Sequence, residues 1–273
     1  ANAEIVLEGF IDPSEMRLEG PFGDHTGYYS QDGDYPVFHL TAITHRKDPI
    51  YLTTIVGKPP QEDFYLGRAT ERIFLPLLRT QLPEIVDMDM PVEGVFHNCV
   101  IVSIDKRYPM QSRRLMSALW GLGQMSFVKT IIAVDSKIDV HNYAELTRLL
   151  LDKVDFKLDL FFSEGVLDVL NHGSDNMLYG SKLGIDLTEK IEGEPGYGKN
   201  RLTELKSSSL PSKEATKTRF PDLKDCRILD INAQRSVMYA ALDKIRPHQT
   251  EEFIKTFFNA PEFSAIDIVI VLE

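Results

Sequence analysis

The chain has 273 residues, 43% of them hydrophobic and 26% charged, which is enough length and apolar content for one large domain or two smaller ones with true cores. Its 30 Lys and Arg against 41 Asp and Glu leave a formal charge of -11, so its surface repels phosphate backbones and nucleic-acid binding is not expected. No run approaches the roughly eighteen apolar residues of a membrane span, so at most a peripheral membrane association is expected.

Residues 1–57 read as β structure. Strand-like runs occur at Glu4–Glu8, Val37–His45 and Ile50–Val56, separated by Gly, Pro and Asp. Between the first two lies a long Gly-rich loop, LEGPFGDHTGYYSQDGDYP, of a kind that is usually functional. Residues 58–94 change character after Lys58-Pro59-Pro60. Phe64, Leu66, Ile73, Phe74, Leu77 and Leu78 recur at helical spacing, with a kink or break expected at Pro76.

Residues 95–190 read as α/β. NCVIVSID and VKTIIAVD are strands, and LDLFF is a third. Gln111–Met125 is a helix carrying Leu115, Met116, Leu119, Leu122 and Met125 inward. HNYAELTRLLLDK is the next helix, with Tyr143, Leu146, Leu149 and Leu150 inward. Strand–helix alternation predicts a mainly parallel sheet with right-handed crossovers. GSKLGID, at 180–186, reads as a specific turn. Residues 191–224 are rich in Gly, Pro, Ser and Lys and read as a linker or surface excursion. Residues 225–273 repeat the earlier theme as a second, incomplete βαβ unit. In this reading RILDINAQRSVMYAALDK matches SIDKRYPMQSRRLMSALWG, a strand ending near Asp and then a helix opening on Gln and Arg. APEFSAIDIVIVLE matches QMSFVKTIIAVD. Both ends of the chain read as cut from a longer polypeptide: AEIVLEG enters a strand at once, and AIDIVIVLE stops inside one.

The richest chemistry lies in the loop from Leu18 to Tyr29. Pro21 fixes one φ angle, and Gly20, Gly23 and Gly27 permit tight turns. Such a loop can hold Glu19 and Asp24 in one geometry. Two close carboxylates cannot both ionise cheaply, so one becomes a proton donor while the other orients it. The competing reading has Asp24 capping a turn and Glu19 in solvent. The seven histidines show no metal-ligand spacing, so no self-contained metal site is expected. Asp105 to Arg114 joins a strand end to a helix start, where basic residues and free amides can meet a phosphate. There is no GxGxxG or Walker sequence. Cys99 sits beside Val95, Val100, Ile101 and Val102 and reads as a small core residue, not a reactive thiol. With only Cys99 and Cys226 there is no disulfide framework, and a reducing, cytoplasmic setting is expected.

Glu19-Gly20-Pro21-Phe22-Gly23-Asp24 resembles the proton-transfer motif of the UbiD family of aromatic-acid decarboxylases. PVFHLTAITHRKDPIY, the Gly57-Lys58-Pro59-Pro60 turn, QLPEIVDMDMP, DKRYPMQSRR and GSKLGIDLT agree in order, so the resemblance covers about residues 1–190. It implies the remainder of a split β-barrel cofactor domain (1–57), a helical linker (58–94) and a C-terminal α/β dimerisation domain (95–190). It implies prenylated FMN made by a flavin prenyltransferase, with a divalent metal (Mn or Mg) and K at the phosphate. The metal ligands and a catalytic Arg are expected upstream of residue 1, and Arg17 is not their substitute. Asp24 would protonate the decarboxylated carbon, Glu19 would belong to the network that positions it, and Lys106 would approach the cofactor phosphate. GKPPQEDFYLG and the long tail look like the menaquinone rather than the ubiquinone branch. The expected assembly is a homodimer or larger homo-oligomer. Three rival readings remain: an assembly module built from 95–273, a UbiD-like carboxylase or decarboxylase of another aromatic or α,β-unsaturated acid, and an unrelated carboxylate-pair glycosidase.

Overall fold

In a computed structural model the described residues are 2–174, 176–198, 210–231 and 235–272. The chain forms two units, Ala1–His141 with Asp159–Glu189, and Asn142–Leu158 with Lys190–Glu273. Among the described residues no helix is long and apolar enough to cross a membrane.

The first unit opens with an antiparallel ribbon of β1 (Ile5–Glu19) and β2 (Gly33–His45), whose register runs from Ile5 opposite His45 to Glu19 opposite Gly33. Register shifts after Glu8 and Ile11 bend it. The first strand is much longer than the Glu4–Glu8 run that alternation marks, because pairing with β2 carries it across Pro13 and both shifts. Ile50–Val56, expected as a strand, is irregular and pairs with no strand among the described residues; its Ile50 and Ile55 amides donate to the carboxylates of Glu4 and Glu62. Leu7, Phe10 and Ile11 on β1 and Phe38, Leu40 and Ile43 on β2 are all exposed, so among the described residues the ribbon's apolar side chains lack a cover.

Helix α1 (Glu62–Gln81) runs through Pro76 without the expected break. Its apolar positions do not all point inward: Ile73, Phe74 and Leu77 are more than half exposed, whereas Leu75 and Leu78 pack on the core. The face toward β3 (Ile85–Asp89) is instead charged. Glu71 is 1% exposed and accepts the Met90 amide at 2.8 Å. Arg68 pairs with Asp89, and Arg72 with Asp87. Burial raises the Glu71 carboxyl above the ordinary glutamate range, against the pull of that amide and of both arginines.

Next come β4 (Cys99–Ile104), α2 (Gln111–Trp120), β5 (Thr130–Asp135), α3 (Tyr143–Lys153), β6 (Leu160–Val166) and β7 (Tyr179–Asp186). The five-stranded sheet has the order β3-β4-β5-β7-β6. Its three inner strands are parallel, while β3 and β6 at the edges run antiparallel. The core is Val100, Val102, Ile104 and Ile131 of the sheet against Leu115, Met116 and Leu119 of α2. Helix α2 stops at Trp120, five residues before its expected end, and a 3-10 turn (Gly123–Phe127) brings Met125 into the same core. GSKLGID is not a turn but most of β7: once the register with β5 is set, its alternation buries Lys182, Gly184 and Asp186 in or beside the sheet.

Lys182 is 3% exposed and donates to the carbonyls of Ser126 (2.5 Å) and Val128 (3.0 Å), above the Trp120 ring. Burial lowers its ammonium to about 8 from the usual 10.5. The unfolded chain therefore binds more protons between those two values, so this residue makes stability rise with pH across that window. Lys182→Met removes the titration: urea unfolding at pH 7.5, 9 and 10.5 gives a rise for the wild type that is flattened in the variant. Parallel curves would contradict this assignment.

Helix α3 belongs to the second unit. Arg235 donates to the carbonyls of Leu151 and Val154 at its C-terminus and stacks on Phe156. Tyr143, expected inward, is exposed, and Leu146 is the helix's buried residue. The segment 191–224 contains helix α4 (Lys213–Arg219), capped by Ser212 Oγ on the Ala215 amide, so it is not wholly linker. Strands β8 (Leu223–Asp230) and β9 (Ser236–Leu242), helix α5 (Gln249–Phe258) and β10 (Ile268–Leu272) follow, in a sheet of order β10-β9-β8.

The second unit repeats the plan of the first in a register different from the one the Gln-Arg match implies. Gln234 lies outside the described residues, and SVMYAAL after it is strand, not helix. The counterpart of Ile104-Asp105-Lys106-Arg107-Tyr108-Pro109-Met110-Gln111 is Leu242-Asp243-Lys244-Ile245-Arg246-Pro247-His248-Gln249. Met110 and His248 both hold left-handed N-cap conformations (φ 63° and 61°). Gln111 accepts the Arg107 amide, and Gln249 accepts the Ile245 amide. β3–β4 and β8–β9 are antiparallel, while β4–β5 and β9–β10 are parallel. One constant offset also carries Leu82-Pro83 to Phe220-Pro221, each ending a helix. The core contacts differ in kind: Leu115 and Leu119 face the first sheet, and Phe253 and Phe257 the second.

Candidate active site around Asp24

The loop between β1 and β2 closes on itself. Gly23 bridges Tyr29, Asp24 N–H donates to Tyr28 O (3.0 Å), and Gly27 N–H donates to Asp24 O (3.1 Å). Gly27 has φ +82°, a conformation that favours glycine, and a Cβ there would lie 3.1 Å from Lys58 Cβ, a tight fit. The result buries one carboxylate: Asp24 is 9% exposed, in a loop whose Phe22, Tyr28 and Tyr29 are exposed.

The two oxygens of Asp24 differ. Oδ1 accepts the His25 amide (2.7 Å) and meets His25 Nδ1 at 2.9 Å. Oδ2 is buried and has no hydrogen-bond partner among the described residues. A buried acceptor without a donor is costly and marks a place where a ligand or proton belongs. Glu19 ends β1 and is exposed, and among the described residues no hydrogen bond or ion pair joins it to Asp24. Arg17 pairs with Glu15 on the ribbon surface.

His25 is backed by two residues from the turn before β4. Its ring lies 6.3 Å from Phe96, near parallel, and 5.5 Å from His97, edge-on. Val95 and Phe96 both have positive φ, 53° and 64°. Two adjacent non-glycine residues in that region store strain that the surrounding packing must hold. Gly67 of α1 makes room, since a Cβ there would meet the Phe96 ring at 2.9 Å. His97 Nε2 faces Asp168 Oδ1 at 3.7 Å. Burial pushes the His97 ring below the ordinary histidine range, against the pull of Asp168. No spacing in the sequence marks His97; only the turn geometry brings it to His25.

Lys106 sits elsewhere in this unit, at the carboxyl ends of the parallel strands. Its Nζ donates to Thr188 Oγ1 and Glu189 O, both at 3.0 Å. Asp186 there accepts from Ser112 Oγ and Thr188 Oγ1. Burial raises the Asp135 carboxyl, against the Glu189 amide that it accepts at 2.9 Å. Lys106 is thus braced by the sheet rather than free in a basic loop, and Arg107 folds back on Asp105. Burial, with Asp89 and Glu93, pushes the Cys99 thiol up to about 12, which disfavours the reactive thiolate. Among the described residues no three His, Cys, Asp or Glu side chains converge on a possible metal position.

Two family models match in tandem. That of the 3-octaprenyl-4-hydroxybenzoate carboxy-lyase Rift-related domain covers residues 1–59, and that of the carboxy-lyase C-terminal domain covers 64–187. An uncharacterised protein of Archaeoglobus fulgidus is 52% identical over 198 residues, 72% of this chain and 41% of that one. One from Helicobacter pylori strain J99 is 46% identical over 191 residues, 70% of this chain and 31% of that one. The chain thus spans well under half the length of these relatives. Among solved structures, vanillic acid decarboxylase of Sedimentibacter hydroxybenzoicus in its closed form is similar over 80% of this chain and 45% of that one, with TM-score 0.67 and 26% identity. The UbiD-class enzyme HmfF of Pelotomaculum thermopropionicum in complex with FMN is similar over 76% and 44%, with TM-score 0.58 and 26% identity. An evolved dimeric form of HmfF in complex with prFMN has TM-score 0.55 and 27% identity over 70% and 41%.

Proposed function

The chain belongs to the UbiD family of carboxy-lyases, and from that premise we propose that the full-length protein decarboxylates an aromatic acid with prenylated FMN, Asp24 carrying the proton. The observation that carries this reading is Asp24 itself. It is a buried carboxylate with one oxygen anchored by His25 and the other without a donor among the described residues. Loss of CO₂ from an sp² carbon leaves an electron pair that no side chain can hold, and the bound flavin supplies that electron sink. Asp24 then has one task, to deliver a proton to the carbon. The anchored Oδ1 fixes the carboxyl's direction, and Oδ2 is the atom available to the reacting group.

Glu19 acts through Asp24 in this proposal, and Lys106 is the chain's candidate contact for the flavin phosphate. Divalent metal and K would come from ligands outside this chain; among the described residues no three His, Cys, Asp or Glu side chains converge on a metal position. The uncovered apolar side chains of the β1–β2 ribbon support its reading as part of a larger barrel. A quinone-biosynthesis acid is the proposed substrate, with the menaquinone branch first. A soluble cytoplasmic homodimer or larger homo-oligomer, fed by a flavin prenyltransferase, is the proposed setting.

The test is the full-length protein co-expressed with a flavin prenyltransferase. Its visible spectrum and CO₂ release from a panel of aromatic acids are recorded. A bound modified flavin with turnover supports the reading. A folded, metal-replete protein with neither leaves the assembly-module reading in its place.

A further inference from the structure

The loop that carries Asp24 is met by the segment that follows β6. That segment is tightly folded: Leu170 N–H donates to Asp168 Oδ1 (2.8 Å), Asn171 N–H to Asp168 O (3.0 Å), and Ser174 Oγ to Tyr179 O (3.0 Å). One side chain clamps its middle. Lys129 Nζ donates to Asn171 Oδ1 (3.3 Å) and to Gly173 O (2.9 Å), the residues on either side of His172. Lys129 is a firm base for this clamp. It stands at the entry to β5, its N–H donates to Asn98 O (3.1 Å), and its carbonyl accepts the Leu183 amide (2.9 Å). With both neighbours held, the His172 ring lies against Tyr28, centroids 5.1 Å apart at 35°. Tyr28 in turn closes the turn at Asp24, since its carbonyl accepts the Asp24 amide (3.0 Å).

We propose that Lys129 and His172 are positioning residues for Asp24, a role that rests on the decarboxylase reading above. Lys129 sets the place of His172, the His172 ring sets the place of Tyr28, and Tyr28 holds the turn from which the Asp24 carboxyl projects. Each link is a contact between side chain or backbone atoms, and none requires a proton to move along it. Tyr28 is 64% exposed and His172 is exposed as well, so their contact removes little apolar area from water and adds little to the core. A two-point clamp that presents an exposed ring to the turn bearing the acid suits alignment rather than bulk stability. Alignment is what the reaction demands of Asp24. A proton donor must lie within hydrogen-bond reach of the atom it protonates, and a misplacement of about 1 Å costs up to about 10²-fold in rate.

The test has two readouts on the full-length protein. In the flavin-free form, hydrogen–deuterium exchange is followed on the peptide spanning 22–30. Lys129→Met and His172→Ala speed its exchange by about threefold to tenfold, the worth of one ring contact, while β4, β5 and β7 exchange as in the wild type. Lys129→Arg, which can still donate to both oxygens, and His172→Phe, which keeps a ring against Tyr28, leave exchange slow. In the loaded form Lys129→Met and His172→Ala each lower kcat by about tenfold, with KM within about twofold of wild type. The double variant is no worse than either alone, because both act through one contact. His172→Phe restores kcat. Unchanged exchange over 22–30, faster exchange that spreads through the sheet, additive losses in the double variant, or a kcat that His172→Phe fails to restore would each overturn the proposal. The expected exchange pattern in a protein without any turnover would sink the decarboxylase reading and leave the clamp standing.

Discussion

On the proposed function, Asp24→Asn in the flavin-loaded full-length protein is expected to lower decarboxylation turnover by about 10²- to 10⁴-fold, with the flavin spectrum and KM retained. Asn matches Asp in shape. Its Oδ1 still accepts the His25 amide, so the loop closed by Asp24 N–H to Tyr28 O and Gly27 N–H to Asp24 O stays intact. What is lost is the ability to hold and release a proton on the buried carboxyl. The measurement is CO₂ release under saturating substrate, with the spectrum of bound flavin as the control for loading. A variant within about threefold of wild type would assign the proton transfer to another group.

Phe257→Ala destabilises the second unit by about 3–5 kcal/mol, read by urea unfolding. Phe257 is fully buried, with ring centroids 4.6 Å from Phe263 and 5.7 Å from both Phe220 and Phe253. Truncation removes both its buried area and the tilted ring contacts with these three neighbours. Phe258→Ala is the control: its ring is 52% exposed, so the loss there is about 1 kcal/mol or less. Equal losses at the two positions would mean that the cluster is not the core of this unit. In the first unit the position of Phe257 is taken by Leu119, also fully buried. The two units thus fill the same place in the plan with different volumes.

Much of the architecture is legible in the sequence, because it rests on local periodicity. NCVIVSID, VKTIIAVD and the run ending in IVIVL are apolar enough to be strands in any context, and they become β4, β5 and β10. Leu115, Met116 and Leu119 share one face of α2 by spacing alone, and all three are fully buried. The EGPFGD motif likewise marks its loop without reference to the fold. The misreadings occur where long-range partners outweigh local pattern. Pro76 does not end α1, and the helix carries its buried charge toward β3 rather than burying Ile73, Phe74 and Leu77. SVMYAAL has residues that suit a helix, but it lies between β8 and β10 and is strand. GSKLGID carries turn-forming glycines, yet its pairing with β5 and β6 fixes it as β7.

The internal repeat shows the same division in finer detail. Similar composition points to a second unit after residue 224, but the Gln-Arg match aligns a helix with a strand. The correct register rests on Asp-Lys-x-x-Pro-x-Gln at 105–111 and 243–249. That pattern gains its meaning from the buried glutamine that ties each loop to its helix start.

At the site, residue identity alone marks the family motif, the loop that carries Asp24, and the strands that build both sheets. These follow from residue identity and short-range spacing. The folded chain is needed to see that Asp24 is buried while Glu19 stays exposed, that Lys106 is braced by Thr188 and Glu189, and that His97 stands behind His25. The physical reason is separation along the chain. His97 is brought to His25 by two left-handed residues and by a glycine on α1 that leaves room for Phe96, and no local periodicity encodes a contact made by three distant segments.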